Sequence, residues 1–242
     1  MDILKSFSDG RKKVAVLIDP DNYSESSLKK IISLSSLGHV AYYFVGGSLL
    51  HNNKFEETIT FLKSNSCLPV VIFPGSSFQV SKQADAILFL SLVSGRNPEY
   101  LIGQQVVAAP AVKNAGIEVI PTAYLLIDGG KISTTAYITQ TLPIPAGKPQ
   151  IAVTTALAAY YMGMKAVYLE AGSGAKVPVY QEVIAAVKKE IPLPLIVGGG
   201  ISSSEQLSKA FEAGADVVVI GNALEENPEL LKEFLSSKNN WM

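Results

Sequence analysis

Three glycine-rich turns, each closing an apolar run, limit what the last third of this chain can build. They are Tyr168-Leu169-Glu170-Ala171-Gly172-Ser173-Gly174, Val197-Gly198-Gly199-Gly200-Ile201 and Val219-Ile220-Gly221-Asn222. A helix-like segment follows each of them. Glycine lets a backbone approach a ligand closely, and the N–H groups that open a helix attract an anion. One such turn says little. Three at even spacing predict successive parallel strands that end around a common mouth and form a phosphate cradle there.

The rest of the chain keeps the same rhythm. Apolar runs at 14–19, 40–47, 69–75, 86–92 and 118–127 predict five further strands. Helical segments are expected at 24–37, where Ser24 can cap, and at 54–65, 98–115, 151–162, 179–189, 204–213 and 228–236. Eight β/α units predict a (β/α)8 TIM barrel, read as a single domain over residues 1–242, with the active site at the carboxyl ends of the strands. The alternative is an open doubly wound sheet, but no G-x-G-x-x-G follows the first strand as a dinucleotide fold would want. The stretch 128–150 breaks the rhythm with Gly129, Gly130, Pro143, Pro145, Gly147 and Pro149. A loop this long is expected to cross the barrel mouth.

Composition excludes several classes. A chain of 242 residues with 48% apolar side chains can fill one large core. A net charge of −1 with scattered Lys and Arg leaves no nucleic-acid footprint. Cys67 is the only cysteine, and His39 and His51 are the only histidines. These counts rule out an intramolecular disulfide and a Cys- or His-rich metal centre. No apolar stretch approaches the ~18 residues that cross a bilayer, and 1–13 is too polar for a signal peptide. A cytoplasmic protein is expected.

The strand ends supply the candidate site. Asp19 in Ile18-Asp19-Pro20-Asp21 is a hard oxygen donor facing the mouth, suited to magnesium, or a turn carboxylate capping the next helix. Ser48 after Gly46-Gly47 can complete a metal shell, contact a diphosphate, or cap a helix. Tyr124 lies in the apolar run of the fifth strand, as groove wall or core. Glu170 follows buried residues, where a carboxylate is costly unless it binds something; the competing reading is a structural salt bridge. Asn222 either orders its own turn or, as its place beside Gly221 favours, donates to phosphate, and Glu225-Glu226 is read as a solvated helix start. No strand from the fifth to the eighth carries a lysine inside it or at its catalytic end, which argues against a Schiff-base aldolase. With no Arg near the turns, phosphate is expected to rest mainly on backbone N–H groups and helix dipoles.

With these segments assembled, the chain resembles the geranylgeranylglyceryl phosphate synthase family, which includes the bacterial heptaprenylglyceryl phosphate synthases. The resemblance rests on Leu17-Ile18-Asp19-Pro20-Asp21, Val45-Gly46-Gly47-Ser48, Val71-Ile72-Phe73-Pro74-Gly75, Leu88-Phe89-Leu90-Ser91-Leu92, Pro121-Thr122-Ala123-Tyr124-Leu125 and the three glycine turns. It implies a magnesium-dependent prenyltransferase that joins a polyprenyl diphosphate to sn-glycerol 1-phosphate and releases pyrophosphate. It also implies site roles. Asp19 and Ser48 would bind magnesium. Tyr168, Leu169, Glu170, Ala171, Gly172, Ser173, Gly174, Gly199, Gly200, Gly221 and Asn222 would hold glycerol 1-phosphate. Asp19 and Glu170 would be catalytic, and Tyr124 would line the prenyl groove. Many relatives carry Lys where this chain has Asn22, which removes one possible diphosphate contact. No motif sets the prenyl length.

Two other functions fit parts of the pattern. A phosphosugar isomerase or epimerase shares the phosphate turns and would use Asp19 and Glu170 as an acid/base pair, without an apolar groove. A non-catalytic barrel could bind a phosphorylated metabolite. A homo-oligomer is expected, with Trp241 as one anchor, and transient contact with a membrane surface is compatible with a lipid substrate.

Overall fold

A computed structural model of the chain describes residues 2–36, 38 and 40–236. Eight parallel strands close a barrel in sequence order: β1 Lys13–Ile18, β2 Val40–Val45, β3 Val70–Ile72, β4 Ala86–Ser91, β5 Glu118–Leu126, β6 Ala166–Glu170, β7 Leu195–Gly198 and β8 Val217–Ile220. Pairing of Lys13 with Val217 begins the β1–β8 seam. The outer ring comprises α2 Glu25–Ser35, α3 Phe55–Asn65, α4 Gln104–Ala115, α6 Pro149–Tyr161, α7 Gln181–Glu190, α8 Ser204–Glu212 and α10 Leu230–Ser236. The predicted cap is present, with Ser24 Oγ accepting from the Ser27 N–H at 3.2 Å.

Strand side chains alternate between two cores. Val14, Val16, Tyr43, Leu125 and Leu169 pack outward against the helices, while Ala15, Tyr42, Phe44, Tyr124 and Tyr168 fill the interior. The alternation positions the site: Asp19 is two residues beyond inward Leu17, and Glu170 two beyond inward Tyr168. Much of that interior is aromatic. Phe7 meets Tyr42 edge-on at 5.1 Å. Nearer the mouth Phe73 stacks on Tyr168 at 5.0 Å and 9°, and Tyr124 lies 5.4 Å from Tyr168.

The bottom of the barrel is closed by α1, Ile3–Phe7, an element absent from the sequence-based expectation. Five residues cannot sustain a helix alone. This one is held because Ile3 and Phe7 are buried in the barrel floor and the Glu118 carboxylate accepts from the Ile3 and Leu4 N–H groups, both at 2.8 Å.

Three expectations are corrected. The strand expected at 69–75 is only three residues long, because Pro74 and Gly75 turn the chain away, and 73–85 reaches β4 without a helix. Seven of the eight units are therefore full β/α units. The 128–150 excursion is not structureless: it contains α5, Thr134–Thr139, capped by Ser133 Oγ on the Ala136 N–H at 3.1 Å. A short α9, Asn222–Glu226, precedes α10 where a single helix was expected. A π-helical turn, Glu99–Gly103, also opens the segment before α4. Trp241 lies outside the described residues.

Replacing Glu118 with Ala leaves the Ile3 and Leu4 N–H groups without their acceptor, while Asp2 still caps Lys5. Urea unfolding should register a loss of about 1–2 kcal/mol, with turnover retained because the change lies at the end of the barrel away from the mouth. A ΔΔG near zero would mean that apolar burial alone holds the plug.

Candidate active site

A cavity of about 800 Å³ opens at the carboxyl ends of the strands. Asp19, Ser48, Tyr124, Tyr168, Glu170, Ser173, Gly174, Gly199, Gly200, Gly221 and Asn222 all line it. Three residues assigned to the phosphate site do not. Leu169 has the opposite parity to Tyr168 and Glu170, so its side chain is buried toward the helices. The Ala171 N–H donates to the Gly198 carbonyl at 3.0 Å, and the Gly172 N–H to Glu170 Oε1 at 2.6 Å. These backbones shape the turn rather than face the cavity.

Glu170 is the most constrained group in the mouth. It is 6% exposed and, among the described residues, pairs with no cation, so the salt-bridge reading fails. Its room comes from glycine. A Cβ on Gly198 would stand 3.2 Å from Glu170 Oε2 and collide with the Tyr168 hydroxyl. One on Gly199, at φ +83°, would overlap Glu170 Oε1. Burial pushes the carboxyl up to about 7 from its usual 4.5, against the Gly172 N–H and Tyr168, which favour the ionised form. The hydroxyls of Tyr168 and Tyr124 are driven well above the ordinary tyrosine range, first by burial and then by the neighbouring Glu170. Both remain neutral donors at any working pH.

Asp19 is half-buried across the mouth. Its Oδ1 accepts from the Asp21 N–H at 3.0 Å, and a Cβ on Gly47 would come within 2.6 Å of its Oδ2. Burial raises its carboxyl, with Asp21 adding in the same direction. Among the described residues it has no ion pair. Asp21 instead accepts from the His51 and Asn52 N–H groups and staples the loop after β2. Ser48 Oγ lies 3.5 Å from Thr135 Oγ1 of α5, so the excursion does cross the mouth. Among the described residues no cluster of three His, Cys, Asp or Glu side chains is available to a metal. An uncompensated carboxylate beside a hydroxyl, both oxygen donors, suits a hard divalent ion completed by substrate oxygens.

The glycine-turn side of the mouth is held together by Asn222. Its Oδ1 accepts from Ser173 Oγ at 2.9 Å and from the Gly174 N–H at 3.0 Å. The side chain expected to donate to phosphate thus clasps the β6 turn to the start of α9. The donors that remain on this element are the N–H groups opening the helix. Glu225 is not simply solvated. It lines the cavity, and its Oε2 accepts from Asn22 Nδ2 at 3.1 Å. Its carboxyl is raised by burial and by Asp19.

Lysine also reaches this side. Lys176 lines the cavity, and Lys131 Nζ stands 3.0 Å from where a Gly174 Cβ would be. Both lie on loops, outside the strands and strand ends where the sequence pattern argues against lysine. The opposite wall, formed by Phe73, Val80, Phe89, Leu92, Tyr100 and Ile138, is apolar. Tyr124 joins it at the floor.

The family model described as the PcrB family matches residues 9–238. The chain belongs to the PcrB family. It is 47% identical over 236 residues to a geranylgeranylglyceryl phosphate synthase of Chitinophaga pinensis, covering 96% of this chain and 94% of that protein. A Thermococcus kodakarensis protein of the same name is 46% identical over 227 residues, covering 93% and 89%. Among solved structures, the (S)-3-O-geranylgeranylglyceryl phosphate synthase of Thermoplasma acidophilum in complex with its substrate sn-glycerol-1-phosphate is similar at a TM-score of 0.90. It is 36% identical, covering 98% of this chain and 96% of that one.

In this PcrB-family barrel the buried carboxylate has a measurable cost. Between pH 4.5 and about 7 the folded chain keeps a proton on Glu170 that the unfolded chain has released. Stability therefore falls as pH rises through that window and levels off above it. The full difference is about 3 kcal/mol. Glu170→Gln, neutral and nearly isosteric, should melt above the wild type at pH 8 and converge with it below pH 4.5 in calorimetry. A lower melting point at pH 8 would mean that the carboxylate is compensated by a charge.

Proposed function

We propose that this chain transfers the geranylgeranyl group of its diphosphate to the free terminal hydroxyl of sn-glycerol 1-phosphate. An ether C–O bond forms, the bond from carbon to the diphosphate oxygen breaks, and pyrophosphate leaves. The observation that carries this reading is Glu170. It is a buried carboxylate with no cation, poised near neutrality beside a glycine cradle and facing an apolar wall. The named relatives support the substrate pair, and the apolar wall argues against a phosphosugar isomerase, which has no use for one.

In this reading glycerol phosphate sits with its anion among the backbone N–H groups of Gly199, Gly200 and the start of α9, where the helix dipole favours negative charge. Loop-borne Lys176 adds charge. The glycerol hydroxyls then reach Glu170, which orients them and takes the proton as the ether bond forms. Asp19 and Ser48 would hold magnesium, which when bound supplies charge neutralisation for the departing diphosphate. The prenyl chain lies along Phe73, Phe89 and Tyr124, where water is excluded from the reacting carbon. No described helix is long and apolar enough to cross a membrane, and cytoplasmic residence fits the reading. Self-association is part of the proposal, supported by Ile102, Val106 and Val107, exposed beside one another on and before α4.

The deciding experiment supplies geranylgeranyl diphosphate and magnesium with either sn-glycerol 1-phosphate or its mirror-image 3-phosphate. Ether product from the 1-phosphate alone is expected, and kcat/KM should rise with pH to a plateau, with an inflection near 7, as Glu170 ionises. Glu170→Gln should lower kcat by 10² to 10⁴, the usual span for a lost general base. Product from neither isomer, with longer donors also silent, would sink the reading.

Asp19→Asn keeps the shape of the turn while removing the charge. A rise of at least tenfold in the magnesium concentration for half-maximal rate is expected, on the order of 1.4 kcal/mol. An unchanged magnesium titration would remove Asp19 from the metal site.

A further inference from the structure

Pairing between β2 and β3 ends at Val45 and Ile72, and the chain then turns away on both sides. The two turns that follow, 46–48 and 73–76, are pressed together backbone to backbone. A Cβ on Gly46 would strike the Phe73 carbonyl, and one on Gly75 would strike the Gly47 carbonyl and come within 2.7 Å of Ser48 Cα. No ladder rung connects the turns. Gln79, 5% exposed, stands between them. Its Oε1 accepts from the Gly75 N–H at 3.1 Å and from the Gly47 N–H at 3.4 Å. Its Nε2 donates to the Gly47 carbonyl at 2.8 Å. One side-chain amide thus pairs both backbone groups of Gly47, work that two residues of a parallel neighbouring strand would otherwise share.

Gly47 is in turn wedged against Asp19 Oδ2, and Ser48 follows it directly. We propose that Gln79 is a positioning residue for the donor half of the site. It fixes the Gly47–Ser48 backbone against Asp19 and so sets the spacing of the two oxygen donors. The inference rests on the reading of Asp19 and Ser48 as metal and diphosphate donors. Glutamine meets the requirement because its amide carries an acceptor and a donor on two separate atoms, which reach the N–H and the carbonyl of Gly47 at once, and asparagine is one methylene shorter. The loop has no helix to hold it, so the amide carries the restraint.

The test compares the wild type with Gln79→Met, which keeps the length of the side chain and removes both hydrogen-bonding groups. Manganese binding to the substrate-free protein is followed by electron paramagnetic resonance, with magnesium titration and both KM values measured beside it. For Gln79→Met we expect manganese affinity to weaken at least fivefold and the prenyl diphosphate KM to rise at least tenfold. The glycerol 1-phosphate KM should stay within twofold, because the cradle lies across the mouth. Unchanged metal and donor constants would overturn the proposal. So would equal rises in both KM values with a lowered melting point, since that marks general damage to the loop. If Gln79→Met does not fold, Gln79→Asn is read by the same criteria. A wild type that binds no manganese and shows no response to magnesium would instead sink the assignment of Asp19 and Ser48. Gln79 would then be judged on the two substrate KM values alone.

Discussion

The mouth of this barrel is organised around a carboxylate buried, among the described residues, without a counter-charge. Water would stabilise ionised Glu170, and the structure replaces that water with the Gly172 N–H at 2.6 Å and two tyrosine rings. The deficit appears as a carboxyl held near 7, where it can both lose and accept a proton at neutral pH. Neighbouring sequence choices follow from this one. Gly198 and Gly199 leave out the side chains that would occupy the carboxylate's space, and Tyr168 and Tyr124 remain neutral beneath it. A lysine in reach would stabilise the ion and abolish its basicity. The lysines on this side stand on loops, next to Gly174 rather than over Glu170.

The closed barrel makes such a burial tolerable. In an open sheet, a strand end carrying an unpaired carboxylate could fray into solvent. Here β6 is paired on both sides, with Leu126 against Glu170 on one flank and Gly198 against it on the other. The aromatic interior beneath, with Phe73 stacked on Tyr168, fills the space into which the side chain could otherwise retreat. Below that, α1 seals the floor. Rigidity from the plug upward is what allows glycine turns, flexible in isolation, to hold fixed positions at the rim.

Legibility in the sequence followed the range of the signal. The barrel was readable because parallel strands buried on both faces appear as unbroken Val/Ile/Leu runs at a regular period. The placement of Asp19 and Glu170 at the mouth was readable because each carboxylate ends such a run. The plug was not, since five residues with two buried side chains carry no periodicity, and its anchor, Glu118, is 114 residues away from Leu4. Leu169 packs away from the cavity: the motif groups neighbours that the strand sends to opposite faces. Glu225 and Lys176 reach the cavity from loops and a short helix, where position depends on tertiary contacts that no local pattern encodes. Gln79 is the extreme case, a single polar residue in an irregular loop, two of whose three hydrogen bonds reach Gly47 and exist only once β2 and β3 are side by side.

The two halves of the mouth are held by different means. On the phosphate side, Asn222 occupies the Gly174 N–H and the Ser173 hydroxyl with its own carbonyl oxygen, so those two donors are already ordered by an internal acceptor. An anion entering that corner competes with Asn222 for the same hydrogens, and its gain is the difference between two acceptors rather than a whole hydrogen bond. The N–H groups of Gly199 and Gly200 have no such rival among the described residues, whereas those of Leu224 and Glu225 in α9 already donate to the Gly221 carbonyl. On the Asp19 side the restraint comes from Gln79, and the carboxylate itself has no partner charge to surrender. A cation entering there gains the full Coulombic term, while an anion alone meets repulsion from Asp19 and Glu225. The asymmetry is physical: on one side backbone dipoles favour an anion unaided, and on the other a polyanion meets Asp19 and Glu225 unless positive charge accompanies it.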